Sequence, residues 1–250
     1  MNQRIDAGAF APLYKEVKRL LTASIAEGEW PAGAALPSET RLAQRFSVSI
    51  GTLRKAIDEM VAERIVVRHQ GRGTFVASHG ANRLMFHFFH VVPRGDRARE
   101  VPETKTLAFR RARAGPAEAA TLGVAAGEPV YRVRNLLSLA GRPTILDDLV
   151  LPQALYPDLT EKIFTQRDNT IYYLYQSRYG VNVLRASERL SAALAGADAA
   201  KLLGVKKGVP LLEINRVALS YHNAPVELRR SLVDTRGHEY LSDLGRSNAG

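Results

Sequence analysis

The stretch LPSETRLAQRFSVSIGTLRKAI, residues 36 to 57, carries hydrogen-bond donors at helical spacing and no nucleophile with a base beside it. On a helical wheel started at Ile50, Leu53, Ala56, Ile57 and Met60 form one apolar stripe. Gly51, Thr52, Lys55, Asp58 and Glu59 lie opposite, with Arg54 at the flank. A hydroxyl, a guanidinium and an ammonium in the first turns of an exposed helix face suit phosphate oxygens and the acceptor edge of guanine. Patterns for catalysis are missing: there is no Walker loop, no HExxH, no GxSxG, and no GxGxxG in a strand-to-helix context. Zero cysteines exclude disulfides, cysteine metal sites and thiol chemistry. His87 and His90, three apart on a strand, would point to opposite faces, so neither a shared metal ion nor any other cofactor is expected.

The elements that position these residues are legible. In PLYKEVKRLLTASIAEGEW, Leu13, Val17, Leu20, Leu21 and Ile25 recur at helical spacing, and Gly28 stops the helix. Ser38 is an N-cap for a second helix burying Leu42 and Phe46, and Ser49 caps a third that runs to about Arg64. IVVRHQGRGTFVAS then reads as two β-rich pieces around a turn, a hairpin. Three helices and a hairpin make a winged helix-turn-helix, whose third helix enters the major groove N-terminus first. Ile50 opens that helix near the apolar stripe and Gly51 is bare, which leaves Ile50 either packed in the core or against a thymine methyl. Base reading must then come from Arg41, Thr52, Arg54, Lys55 and the wing.

The whole chain sets the wider bounds. Its 250 residues, 46% hydrophobic, are enough for one large or two small domains with real cores. The longest apolar run, Leu84 to Val92, is far short of a membrane span, and the first residues have no apolar core for a signal peptide. A cytoplasmic location with no membrane partner is the expectation. The net charge of +10 points to a polyanionic partner. Residues 1 to 80 hold 11 basic and 8 acidic residues; residues 81 to 115 hold 8 against 3, which fits a solvated loop and an anion-binding role equally.

The rest of the chain contains a repeat. AEAATLGVAAGEPVYRVRNLLSLAGRPTILDDLVLP from Ala117 lines up with ADAAKLLGVKKGVPLLEINRVALSYHNAPVELRRSLVD from Ala197. Gly123 matches Gly204, Gly127 matches Gly208, Pro129 matches Pro210 and Pro143 matches Pro225. Each unit reads as a short helix, a Gly turn, a strand, a hairpin turn and a second strand. Two copies are too few for a solenoid, so the halves are expected to complete one antiparallel sheet. The expected fold is therefore α+β, with a DNA-binding domain over residues 1–78 and a repeat domain over 79–250.

PLYKEVKRLL, LPSETRLAQRF, TLRKAIDEMVAE and QGRGTFV, spaced as they are, resemble the GntR family of bacterial transcription regulators. EPVYRVRNL, GRPTILDDLVLP and APVELRRSLVD look like the UTRA effector-binding domain of its HutC subfamily. That resemblance implies a chorismate-lyase-like fold with internal pseudo-symmetry, and a homodimer on palindromic double-stranded operator DNA, most simply a repressor released by a small metabolite. It places Ser38 and Glu39 against the DNA backbone, Thr52 and Arg54 in the recognition helix, and Arg72, Gly73 and Thr74 with Gly71 in the wing. In UTRA domains that bind phosphosugars an Arg-x-Arg holds the phosphate, which matches Arg132 and Arg134. The acidic effector residue corresponds to Asp147, or to Asp148 if the register slips by one, and its counterpart in the second repeat is Glu227.

Two departures limit the transfer. The family commonly has arginine where this chain has Thr40 and Ile50, so an operator sequence does not carry over. Where many relatives have YRGDRY this chain has VDTRGHEY, which leaves an organic acid and a sugar phosphate both open as the anionic effector. The shared fold leaves one enzymatic alternative, a lyase acting on a small carboxylate, although fold alone does not imply chemistry.

Overall fold

The computed structural model describes residues 12–63, 65–78, 88–95, 100–167 and 169–242. Its N-terminal unit comprises α1 (Leu13–Ala26), α2 (Glu39–Phe46), α3 (Ile50–Ala62) and a hairpin of β1 (Val66–His69) with β2 (Gly73–Val76). Ser38 Oγ accepts the Arg41 N–H at 3.4 Å and Ser49 Oγ accepts the Thr52 N–H at 3.1 Å, so both serines cap as the sequence implied. Val17, Leu21, Leu42, Phe46, Leu53, Ala56, Ile57 and Met60 fill one core with Val66 and Val76. Ile50 is 42% exposed, which removes the core role for it. The segment before α2 runs beside β2, with Leu36 N–H donating to Thr74 O at 2.8 Å.

The second unit is a six-stranded antiparallel sheet, in the order β4 (Glu103–Arg113), β5 (Pro129–Leu139), β6 (Arg142–Pro152), β9 (Pro225–Val233), β8 (Pro210–Leu219), β7 (Arg185–Leu194). The repeat is α4 (Pro116–Leu122), β5 and β6 against α7 (Ala197–Leu203), β8 and β9. At the centre of the sheet Asp148 pairs with Arg230, positions related by the same offset as Pro143 and Pro225. The pseudo-twofold therefore passes through that pair.

α4 and α7 cover opposite ends of one sheet face, through Val130, Val150 and Leu122 and through Leu146, Leu211 and Leu203. The other face is covered by α5 (Glu161–Thr165) and α6 (Ile171–Tyr179), which bury Tyr131, Leu149, Tyr156 and Tyr175, and by a ribbon of β3 (Val91–Pro93) with β10 (His238–Tyr240). The units touch: Tyr221, in the β8–β9 turn, is buried in the helix-turn-helix core, with Leu184 packed beside it. No described helix is long and apolar enough to cross a membrane.

Candidate functional site

The N-terminal turns of α2 and α3 and the wing hold the first group of expected residues. Arg41, Arg54, Lys55, Arg72 and Gly73 are exposed, while Ser38, Glu39, Thr52 and Thr74 lie at the surface of the same unit. Arg54 Nε donates to Glu39 Oε2 at 2.6 Å, so Glu39 aims the guanidinium. Arg68, which sequence reasoning passed over, donates to Glu39 Oε1 at 3.2 Å and to Asp58 Oδ1 at 2.5 Å. The Thr52 hydroxyl lies 2.9 Å from Ser49 Oγ, and Lys55 Nζ is 4.1 Å from the centre of the Tyr14 ring. Gly71 and Gly73 have φ of +70° and +103°, and a Cβ at either would meet nothing within 4 Å. The backbone conformation, rather than crowding in the free protein, calls for glycine, and the open space permits close approach of a ligand.

The four expected effector residues do not converge. Alternation along the strands puts Arg132, Arg134 and Asp148 on the face that carries α4 and α7, and Asp147 and Glu227 on the other. Arg132 donates to Glu118 Oε1 and Oε2 at 2.6 and 2.7 Å. Arg134 grips Asp148 at 2.7 and 3.0 Å and Asp198 at 2.8 Å. Both guanidiniums are thus engaged by carboxylates. They line an open cleft of about 810 Å³ that also takes in Arg110, from the basic 81–115 stretch, and Arg189.

On the opposite face a buried charge cluster forms. Glu227 is fully buried and accepts from Tyr175 Oη at 2.7 Å, Tyr172 Oη at 3.3 Å, and Arg229 Nε and Nη2 at 2.9 and 3.1 Å. Arg229 Nη1 also donates to Asp147 Oδ2 at 3.4 Å, and Ser231 Oγ donates to Asp147 Oδ1 at 2.5 Å. Burial pushes the Asp147 carboxyl up, against the pull of Arg229. Burial, with Glu227 adding to it, holds the Tyr175 hydroxyl well above its ordinary value, so it stays a donor. Arg216 reaches Glu188 at 2.5 Å, and Tyr240 Oη also donates to Glu188.

Asn135 lies directly across from Asp147, wholly buried, with its Oδ1 held by Thr106 Oγ1 at 2.9 Å and its Nδ2 without a partner. A cavity of about 30 Å³ sits at this cluster, lined by Asp147, Arg216, Arg229 and Ser231 with Ile214 and Tyr240. It is far smaller than the cleft on the other face. One buried polar atom without a partner, Asn135 Nδ2, nevertheless lies beside this cluster, and an unpaired buried donor calls for a water, an ion or a ligand group. Arg229 and Ser231 were within reach of the sequence, since they follow Glu227 at the strand period of two.

His90 stacks near Tyr240, with ring centroids 5.2 Å apart, and His87 lies outside the described residues. Among the described residues no group of three His, Asp or Glu is arranged to hold a metal.

Residues 13–76 match the gntR family of bacterial regulatory proteins, and residues 97–238, more than half the chain, match the UTRA domain. The chain belongs to the GntR family, with a UTRA domain. It is similar to the "Histidine utilization repressor" of Pseudomonas aeruginosa, 31% identical over 82% of this chain and 81% of that protein. It is also similar to the "Probable fructoselysine utilization operon transcriptional repressor" of Escherichia coli K12, 29% identical over 86% of this chain and 88% of the other. Among solved structures, a ligand-binding domain assigned to a GntR-family regulator from Bordetella bronchiseptica is 36% identical, with a TM-score of 0.60, over 63% of this chain and 97% of that one. This GntR protein is a DNA-binding transcription regulator with an effector domain, and the enzymatic alternative falls away: the family and its relatives are regulators.

Proposed function

We propose that the protein is a dimeric repressor that reads a palindromic operator and is released by a small amino-acid-like metabolite bound at the Asp147–Arg229–Glu227 cluster. A dimer follows from reading geometry, because one winged helix covers a single half-site. Arg54, Thr52, Lys55, Arg41 and the Arg72–Thr74 wing make the DNA contacts, and exposed Ile50 packs on a thymine methyl.

The effector class rests on one observation: a half-buried guanidinium is paired with two buried carboxylates, beside an amide nitrogen that has no acceptor. Arg229 and Asn135 suit a carboxylate, and Asp147 and Glu227 suit an ammonium. Two relatives are named for the use of histidine and of fructoselysine, compounds that carry both groups. A sugar phosphate would bring two negative charges to a site that already holds two carboxylates. Arg132 and Arg134, on the opposite face, have no part in it. A thermal-shift screen of amino acids, their derivatives, organic acids and sugar phosphates tests the reading. The expected result is stabilisation by an amino-acid derivative that Arg229→Ala abolishes and Arg134→Ala leaves intact; stabilisation lost in Arg134→Ala alone would move the effector to the other face.

A further inference from the structure

Helix α6 touches both the effector cluster and the DNA-binding unit. Tyr172 and Tyr175 donate to the Glu227 carboxylate, at 3.3 and 2.7 Å. One residue further on, Gln176 donates to the Ala77 carbonyl at 3.2 Å. Ala77 directly follows the wing, and its own N–H is held by Ile65 O at 3.0 Å, so that carbonyl is part of the DNA-binding unit. Gln176 Nε2 also donates to Asn182 Oδ1, and Asn182 Nδ2 donates to Tyr221 Oη at 3.0 Å. Gln176, Asn182 and Tyr221 are all buried.

Tyr221 precedes a turn in which His222 and Asn223 take φ of +56° and +59°. That turn is the repeat partner of the Ala140–Gly141 turn, at the far end of the sheet. Only in the second repeat does the preceding residue enter the helix-turn-helix core, with Tyr221 where the first repeat has Leu139, whose contacts stay within the sheet domain.

We infer that α6 and the Gln176–Asn182–Tyr221 hydrogen-bond chain transmit the state of the Glu227 carboxylate to the DNA-binding unit. Two properties make the chain suited to this. Buried polar contacts are made or broken as discrete arrangements, because an unpaired buried amide is costly. Tyr175 and Gln176 are adjacent on one short helix, so a ligand that takes the Glu227 carboxylate from Tyr175 shifts the helix that also holds Ala77. The purpose of the chain rests on the effector site proposed above, but its existence is testable without any effector.

The test is a double-mutant cycle on the full-length protein, read as affinity for DNA selected in vitro by the wild type. Glu227→Gln, which weakens the acceptor for Tyr172 and Tyr175, is expected to change the operator dissociation constant at least about fivefold, the lower end of typical couplings between sites. Tyr221→Phe keeps the buried ring and removes only the hydroxyl; in that background the Glu227→Gln effect is expected to fall below about twofold. Asn182→Ala gives a second cycle with the same expectation. An equal Glu227→Gln effect in all three backgrounds overturns the inference, as does a Glu227→Gln protein that binds DNA like the wild type. Failure of the effector reading would appear in the ligand screen instead, leaving this cycle unaffected.

Discussion

Arg54, proposed to contact DNA, shows how a surface side chain is oriented. Its side chain is 63% exposed, and the Glu39 carboxylate holds it near the N-terminal end of α3. An exposed ion pair adds little stability, so its worth lies in orientation. Arg54→Ala should weaken operator binding by about tenfold to a hundredfold, the loss of one good guanidinium contact. Melting temperature should stay near the wild type; an anisotropy titration beside a thermal melt checks both, and a protein that unfolds would mark Arg54 as structural. Thr52, Arg54 and Lys55 were legible because one helix face is buried and the opposite face follows from the wheel. Arg132 and Arg134 were legible only as a pair. Alternation says that they share a face, yet both faces of this sheet are covered by other elements, so pattern alone does not say which. Asp147 and Glu227 landed together because they sit on adjacent central strands, and Arg229 came with them through the strand period.

At the scale of elements, the strongest signals were caps and glycines. Ser38, Ser49 and the paired glycines of the repeat mark α2, α3, α4 and α7 without help from tertiary contacts. Helix α6 has its caps, Thr170 and Gly180, but Tyr172, Leu174, Tyr175 and Gln176 are buried around more than one side, so no apolar stripe marks it. The β3–β10 ribbon joins three-residue segments from far ends of the domain, and pairing at that separation has no local signature. Helix α4 carries a testable anchor. Glu118 accepts from the Gly115 N–H at 2.8 Å, closing the helix start, and grips Arg132 on β5. The Arg132 guanidinium holds the Glu118 carboxyl below its ordinary range. A lowered folded-state value means that the stabilisation is present at neutral pH and is lost as pH falls through that value. Glu118→Gln should therefore cost about 1 kcal/mol in urea unfolding at pH 7. The difference from wild type should vanish in acid; a constant difference across pH would show that packing, not the ion pair, carries it.

For the whole molecule, a net charge of +10 gives a general attraction to DNA, which is neither specific nor regulated by itself. Specificity is proposed to come from the small exposed set on α2, α3 and the wing. The sheet domain is the effector domain of the family, and its second hairpin turn reaches the DNA-binding core through Tyr221. The domain order and the duplicated half were visible in the sequence; the seating of Tyr221 was not, because it depends on how the two units pack. Sequence-specific recognition sets a regulator that carries its own effector domain apart from a merely cationic DNA binder. Its most direct measurement is the affinity of the full-length protein, at physiological salt, for an in-vitro-selected palindrome and for a scrambled duplex of the same length and composition. The palindrome is expected to bind with a dissociation constant of about 10⁻⁸ M or tighter, two protomers per duplex, and scrambled DNA at least about a thousandfold more weakly. Equal affinity for the two duplexes would contradict sequence-specific recognition.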